Sequence, residues 1–132
     1  MTVRKVLVVE DDRAIRDMIV ATLAESGYAV AAARNGAEGL ERCRGFLPDV
    51  IVLDLHMPEV NGVEFLKQRG TTGCDAPVVL MSAAVHRVAL PPELAVEAVI
   101  EKPFAIETFL DTVAAYAPDG DPGSRRRRMS RN

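Results

Sequence analysis

The chain predicts an α/β domain built on a doubly wound, five-stranded parallel sheet, and three observations predict it. Five short apolar runs, at 5–10, 28–33, 49–53, 76–81 and 98–101, are separated by segments that mostly carry helical spacing. The runs are nearly continuous in Val, Ile, Leu and Ala rather than alternating, as suits strands covered on both faces. Four of the five end on an ionisable or hydroxyl residue, at the carboxyl edge where open α/β sheets hold their ligands. Right-handed crossovers leave few topologies, and the common order 2-1-3-4-5 is the one expected.

Each element has its own justification. The first run, KVLVVE, ends directly on Asp11 and Asp12. Ile15, Met18, Ile19, Thr22 and Leu23 then recur at helical spacing until Gly27, which predicts a helix over about 13–26. After the short strand YAVAAA, Asn35 caps a helix that turns Ala37, Leu40, Cys43 and Leu47 toward the core and ends before Pro48. The third strand, 49–53, leads into Asp54 and a segment broken by Pro58 and Gly62.

A short helix follows in VEFLKQRG, with Val63, Phe65 and Leu66 inward, and GTTGCD reads as a loop. The fourth strand ends at Ser82. Between 83 and 97, Pro91 and Pro92 limit the fourth helix to one or two turns. The fifth strand, AVIE, runs into Lys102 and Pro103, and Ile106, Phe109, Leu110 and Val113 give the last helix its buried stripe.

With 132 residues, 48% of them hydrophobic and 27% charged, the chain is expected to be one soluble domain with a real core. Residues 1–117 hold 11 Lys and Arg against 17 Asp and Glu, a net of −6, whereas 118–132 hold five Arg against two Asp, a net of +3. The expected division is a folded domain over 1–117 and a disordered basic tail over 118–132. Cys43 and Cys74 have neither metal-ligand nor redox-motif spacing and read as two separate thiols in a reducing compartment. With no leader-like cleavage site and no span of membrane-helix length, a cytoplasmic protein without a transmembrane segment is expected.

The strand ends carry the chemistry. In the expected order, strands one and three are neighbours, so Asp11, Asp12 and Asp54 share one crevice. Clustered carboxylates stay ionised most readily around a divalent cation, and an oxygen-only set favours Mg²⁺, or Mn²⁺, over zinc. Magnesium held by few carboxylates keeps coordination positions for phosphate oxygens, and Lys102 and Ser82 suit the remaining oxygens of a phosphoryl group. Taken singly, Asp12 reads equally well as the N-cap of the first helix, and Ser82 as a partner for a loop amide.

These residues resemble the receiver domain of two-component response regulators. The resemblance rests on EDD at 10–12, the D-x-x-M-P-x-x-x-G pattern at Asp54, Met57, Pro58 and Gly62, the Ser82–Ala83 pair, and Lys102-Pro103-Phe104, and it covers about residues 4–117. It implies a flavodoxin-like receiver fold and Asp54 as the phosphoacceptor, attacking a phosphohistidine of a sensor histidine kinase or a histidine phosphotransfer protein. It further implies that Asp12, Asp54 and the backbone carbonyl of His56 hold Mg²⁺ directly, with Asp11 assisting through water. Ser82 and Lys102 would contact the new phosphoryl group and shift an inactive–active equilibrium. Such a protein promotes its own phosphorylation and dephosphorylation rather than turning over a separate substrate, and so is not expected to be an enzyme.

Departures from the family pattern bear on output. Val99 stands where the family often has an aromatic switch residue, and the fourth helix is shortened. The leading expectation is a stand-alone receiver that signals by protein–protein contact. A phosphorelay intermediate and an unphosphorylated scaffold are the alternatives; a phosphatase of similar fold would want an acid where His56 stands. Arg125–Arg128 read as a solvated run, and without a helix-turn-helix no specific DNA binding is expected.

Overall fold

The computed structural model of the chain describes residues 3–54, 62–69, 75–83 and 96–117. Within them the order is β1 (Lys5–Val9), α1 (Arg13–Glu25), β2 (Ala29–Ala33), α2 (Gly36–Phe46), β3 (Val50–Asp54), α3 (Gly62–Arg69), β4 (Val78–Ala83), β5 (Ala98–Lys102) and α4 (Ile106–Tyr116). The five strands form one parallel sheet in the order β2-β1-β3-β4-β5, as the apolar runs predict. The short helical turn expected between 83 and 97 and the basic tail lie outside the described residues.

Alternate residues of each central strand feed two separate cores. Val6 and Val8 of β1, with Val50 and Val52 of β3, pack against Ile19 and Leu23 of α1 and Phe109 and Val113 of α4. Leu7 and Val9, with Ile51 and Leu53, pack against Leu40 of α2 and Phe65 and Leu66 of α3. Every residue of β3 is buried, so the strand that delivers Asp54 is gripped from both faces. Each such side chain contributes about 1.5–3 kcal/mol on leaving water.

Helix α2 departs in detail from its expected stripe. Leu40 and Cys43 are buried as expected, but Ala37 and Leu47 are exposed, and Gly36 and Gly39 take the inner positions. A Cβ at Gly39 would meet Val9 Cγ2 at 3.0 Å and Phe65 Cε2 at 3.1 Å, so glycine there lets α2 approach the sheet and α3 closely. Leu47 closes the helix with φ 53° and ψ 65°, a left-handed conformation that turns its side chain out to 69% exposure. Cys43 is disulfide-bonded, which corrects the expectation of a separate thiol there. Such pairing depends on how α2 packs, and motif spacing does not carry that information; Cys74 lies outside the described residues.

Candidate phosphoryl site at the carboxyl edge of the sheet

The parallel register delivers the site. Val9 lies beside Leu53 in the β1–β3 ladder, so the residues that follow them, Glu10 and Asp54, leave the sheet side by side. Asp54 pairs with Met81 of β4, one residue before Ser82, and Ala83 pairs with Lys102 of β5. Side chains from four strands thereby reach one edge. Asp54 and Ser82 are buried, at 5% and 4% exposure, and Glu10 is more so at 1%.

Lys102 joins the acids. Its Nζ lies 3.2 Å from Glu10 Oε1 and 3.5 Å from Asp54 Oδ1. Burial of the Glu10 carboxyl, then its hydrogen bond to Asp54 and the like charge there, raises its pKa to about 8, Lys102 offsetting only part of this. Burial pulls the Lys102 ammonium down, but Asp54 and Glu10 outweigh that and hold it above the ordinary lysine value. Lys102 therefore stays a cation facing two carboxyl groups, of which Glu10 gives up its proton reluctantly.

The three consecutive acids after β1 separate into different roles. Glu10, Asp11 and Asp54 each bring a carboxylate oxygen within 4.8 Å of the others. Asp12 does not join that group among the described residues. Its Oδ1 accepts a hydrogen bond from Ile15 N at 2.9 Å and caps α1, the alternative that its position before a helix always allowed. The direct metal-ligand place expected for Asp12 is thus taken in this geometry by Glu10, while one Asp12 carboxylate oxygen is engaged at the first turn of α1. Glu10, hidden in the sequence as the end of an apolar run, takes the inward place. The readable signal was its register with Asp54: counting one residue past Val9 and one past Leu53 pairs them. His56, whose carbonyl was expected at the metal, lies outside the described residues.

The acid group fits a hard divalent cation. It offers oxygen ligands only, two of them on buried residues and one on the exposed Asp11, so a cation could exchange with solvent on one side. Lys102 beside the same carboxylates is a point charge of the kind that suits a phosphoryl oxygen.

Comparison with known proteins shows the family of the chain. A family model described as "Response regulator receiver domain" matches residues 6–114. Response regulator MprA of Mycobacterium ulcerans (strain Agy99) is 37% identical over 117 residues, covering 87% of this chain and 50% of that protein. Response regulator MprA of Mycobacterium sp. (strain KMS) is 34% identical over 126 residues, covering 91% of this chain and 55% of that protein. The chain thus spans about half the length of the curated relatives it matches. Among solved structures, chemotaxis response regulator CheY4 of Vibrio cholerae matches with a TM-score of 0.73 at 31% identity, over 87% of this chain and 99% of that one. A CheY-like receiver domain protein from Methanospirillum hungatei JF-1 matches at TM-score 0.77 and 22% identity, a likeness of fold alone.

Proposed function

Because the chain belongs to the response regulator receiver domain family of two-component signalling, we propose that it accepts a phosphoryl group on Asp54 from a phosphohistidine donor and signals through contact with another protein. The observation that supports this reading is the convergence of Glu10, Asp11, Asp54 and Lys102 at one sheet edge, with the buried Ser82 one residue beyond the β4 partner of Asp54.

An Asp54 oxygen is the nucleophile. It forms a bond to phosphorus as the bond from phosphorus to the donor nitrogen breaks, giving an aspartyl phosphate and a free imidazole. Glu10, Asp11 and Asp54 would hold the magnesium ion. When bound, that ion neutralises negative charge on the carboxylates and the transferring phosphoryl group. Lys102, already 3.5 Å from Asp54, stays ionised and stabilises charge on the phosphoryl oxygens. The Ser82 hydroxyl suits a further oxygen as donor. Catalysis here consists of positioning and charge neutralisation, and the same groups serve dephosphorylation, so no separate substrate turnover is proposed.

Output is proposed to use the β5 and α4 side, where Val99 is 56% exposed and Ile106 41%. With valine at 99, an aromatic rotation cannot carry the signal. Among the described residues no helix is long and apolar enough to cross a membrane, and we place the protein in the cytoplasm with its kinase partner. The experiment that tests the proposal is phosphorylation by a small phosphodonor, with and without Mg²⁺, of wild type beside Asp54→Ala. Labelling of wild type that needs both Mg²⁺ and Asp54 is expected; an unlabelled wild type would favour a binding scaffold.

A further inference from the structure

We propose that Arg16 is the positioning residue of the acid pair: its guanidinium clamps the main-chain carbonyls of Glu10 and Asp11, fixing the two carboxylates in the geometry that receives a divalent cation. The inference rests on the magnesium reading of the acid group above.

The clamp follows from where the helix starts. Side chains of an α-helix lean toward its N-terminus, so an arginine one turn into α1 reaches back over the loop that precedes it. Arg16 Nη1 lies 2.9 Å from Glu10 O and 3.3 Å from Asp11 O, as donor to both. Its own amide donates to Asp12 O at 2.8 Å, and Asp12 in turn caps the helix. The β1–α1 loop is thereby tied at each of its three residues: Glu10 and Asp11 by the guanidinium, Asp12 by the helix start. Glu10 N is also fixed, donating to Ala33 O at 3.0 Å.

The choice of acceptor carries the inference. A cation whose work near this acid group was neutralisation would sit on a carboxylate, as Lys102 does. Arg16 instead directs its hydrogen bonds to carbonyl oxygens and leaves the carboxylates of Glu10 and Asp11 to others. Arg13, three residues earlier on the same helix, shows the contrast: its side chain is 86% exposed and pairs only loosely with Asp17, at 3.8 Å. Groups that orient metal ligands from behind typically change metal affinity about 10–100-fold when removed.

Positioning and simple charge predict opposite signs. A guanidinium near the site repels a second cation, so if charge were its whole effect, removing it would tighten Mg²⁺ binding. If Arg16 works by holding the loop, removing it weakens binding. The test is calorimetric Mg²⁺ titration of the whole chain as wild type, Arg16→Ala, Arg16→Lys and Arg13→Ala. Arg16→Ala should bind about tenfold or more weakly, Arg16→Lys should fall between it and wild type because an ammonium keeps one carbonyl contact, and Arg13→Ala should stay within about twofold.

Equal or tighter binding by Arg16→Ala would overturn the clamp. Should that variant not fold, Arg16→Lys decides alone, and an affinity equal to wild type overturns it. Absent Mg²⁺ binding by wild type would instead defeat the magnesium reading. The clamp is then judged on metal-free protein by the ¹³C′ shifts of Glu10 and Asp11, which should move in Arg16→Lys relative to wild type; shifts left unchanged would contradict it.

Discussion

Lys102 Nζ lies 3.2 Å from Glu10 Oε1, a contact between the end of β5 and the first residue past β1, 92 positions apart in the chain. It closes the sheet edge across β3 and β4, with Asp54 between. Two carboxyl groups and one ammonium in so buried a place make the metal-free site sensitive to protonation.

That sensitivity has a sign. Glu10 holds its proton more tightly folded than unfolded, with a pKa of about 8 against 4.5. Between those values the native state binds the extra proton, so stability is greatest near the lower end and falls as pH rises toward 8. In chelator, urea denaturation should show a loss of about 2–4 kcal/mol across this window. Glu10→Gln, which keeps shape and cannot ionise, should flatten the profile; a wild-type profile already flat would contradict the buried position of Glu10.

Asp12 and Asp11 should part company on mutation. Asp12→Ala removes the N-cap of α1 and should cost about 1 kcal/mol of stability while leaving Mg²⁺-dependent labelling largely intact. Asp11→Asn should leave stability nearly unchanged and lower Mg²⁺ affinity by tenfold or more, as expected for a ligand. Thermal melts and phosphodonor labelling of the two variants separate a cap from a ligand.

Two glycines on α2 should respond oppositely to alanine. At Gly39 a Cβ would stand 3.0 Å from Val9 Cγ2 and 3.1 Å from Phe65 Cε2, both on side chains without exposed surface. Overpacking should outweigh the better helix propensity, destabilising Gly39→Ala by about 1–2 kcal/mol. Gly45 has nothing within 4 Å of the same atom, so Gly45→Ala should stabilise by about 0.5–1 kcal/mol. Urea midpoints measure both.

Leu47 stands in a left-handed conformation with its side chain in solvent. Glycine meets no Cβ clash there, so Leu47→Gly should raise stability by about 0.5–1 kcal/mol despite the added freedom of the unfolded chain. A loss of stability would show that Leu47 makes packing contacts worth more than its backbone strain.

The sheet was legible because each strand is a short run of Val, Ile, Leu or Ala, and parallel strands covered on both faces need little else. Asp54, Ser82 and Lys102 were legible because each directly ends such a run. Three consecutive acids follow β1, and only register and capping decide that Glu10 and Asp11 join Asp54 while Asp12 caps α1. Glu10 looked like the tail of the strand, yet one residue past Val9 it stands level with Asp54. Arg16 carried no signal, since its partners are backbone carbonyls. The exposed turn of Leu47 and the bonded state of Cys43 depend on how α2 sits on the sheet, which helical spacing does not specify.

The most direct measurement locates the phosphoryl group itself. Protein phosphorylated by a small phosphodonor with Mg²⁺ is reduced with borohydride, which converts an aspartyl phosphate to homoserine, and its peptides are mapped by mass spectrometry. Homoserine in place of Asp54, absent when Mg²⁺ is omitted, is the predicted result. Homoserine at Asp11 or Asp12, or none at any position, would contradict the site described here.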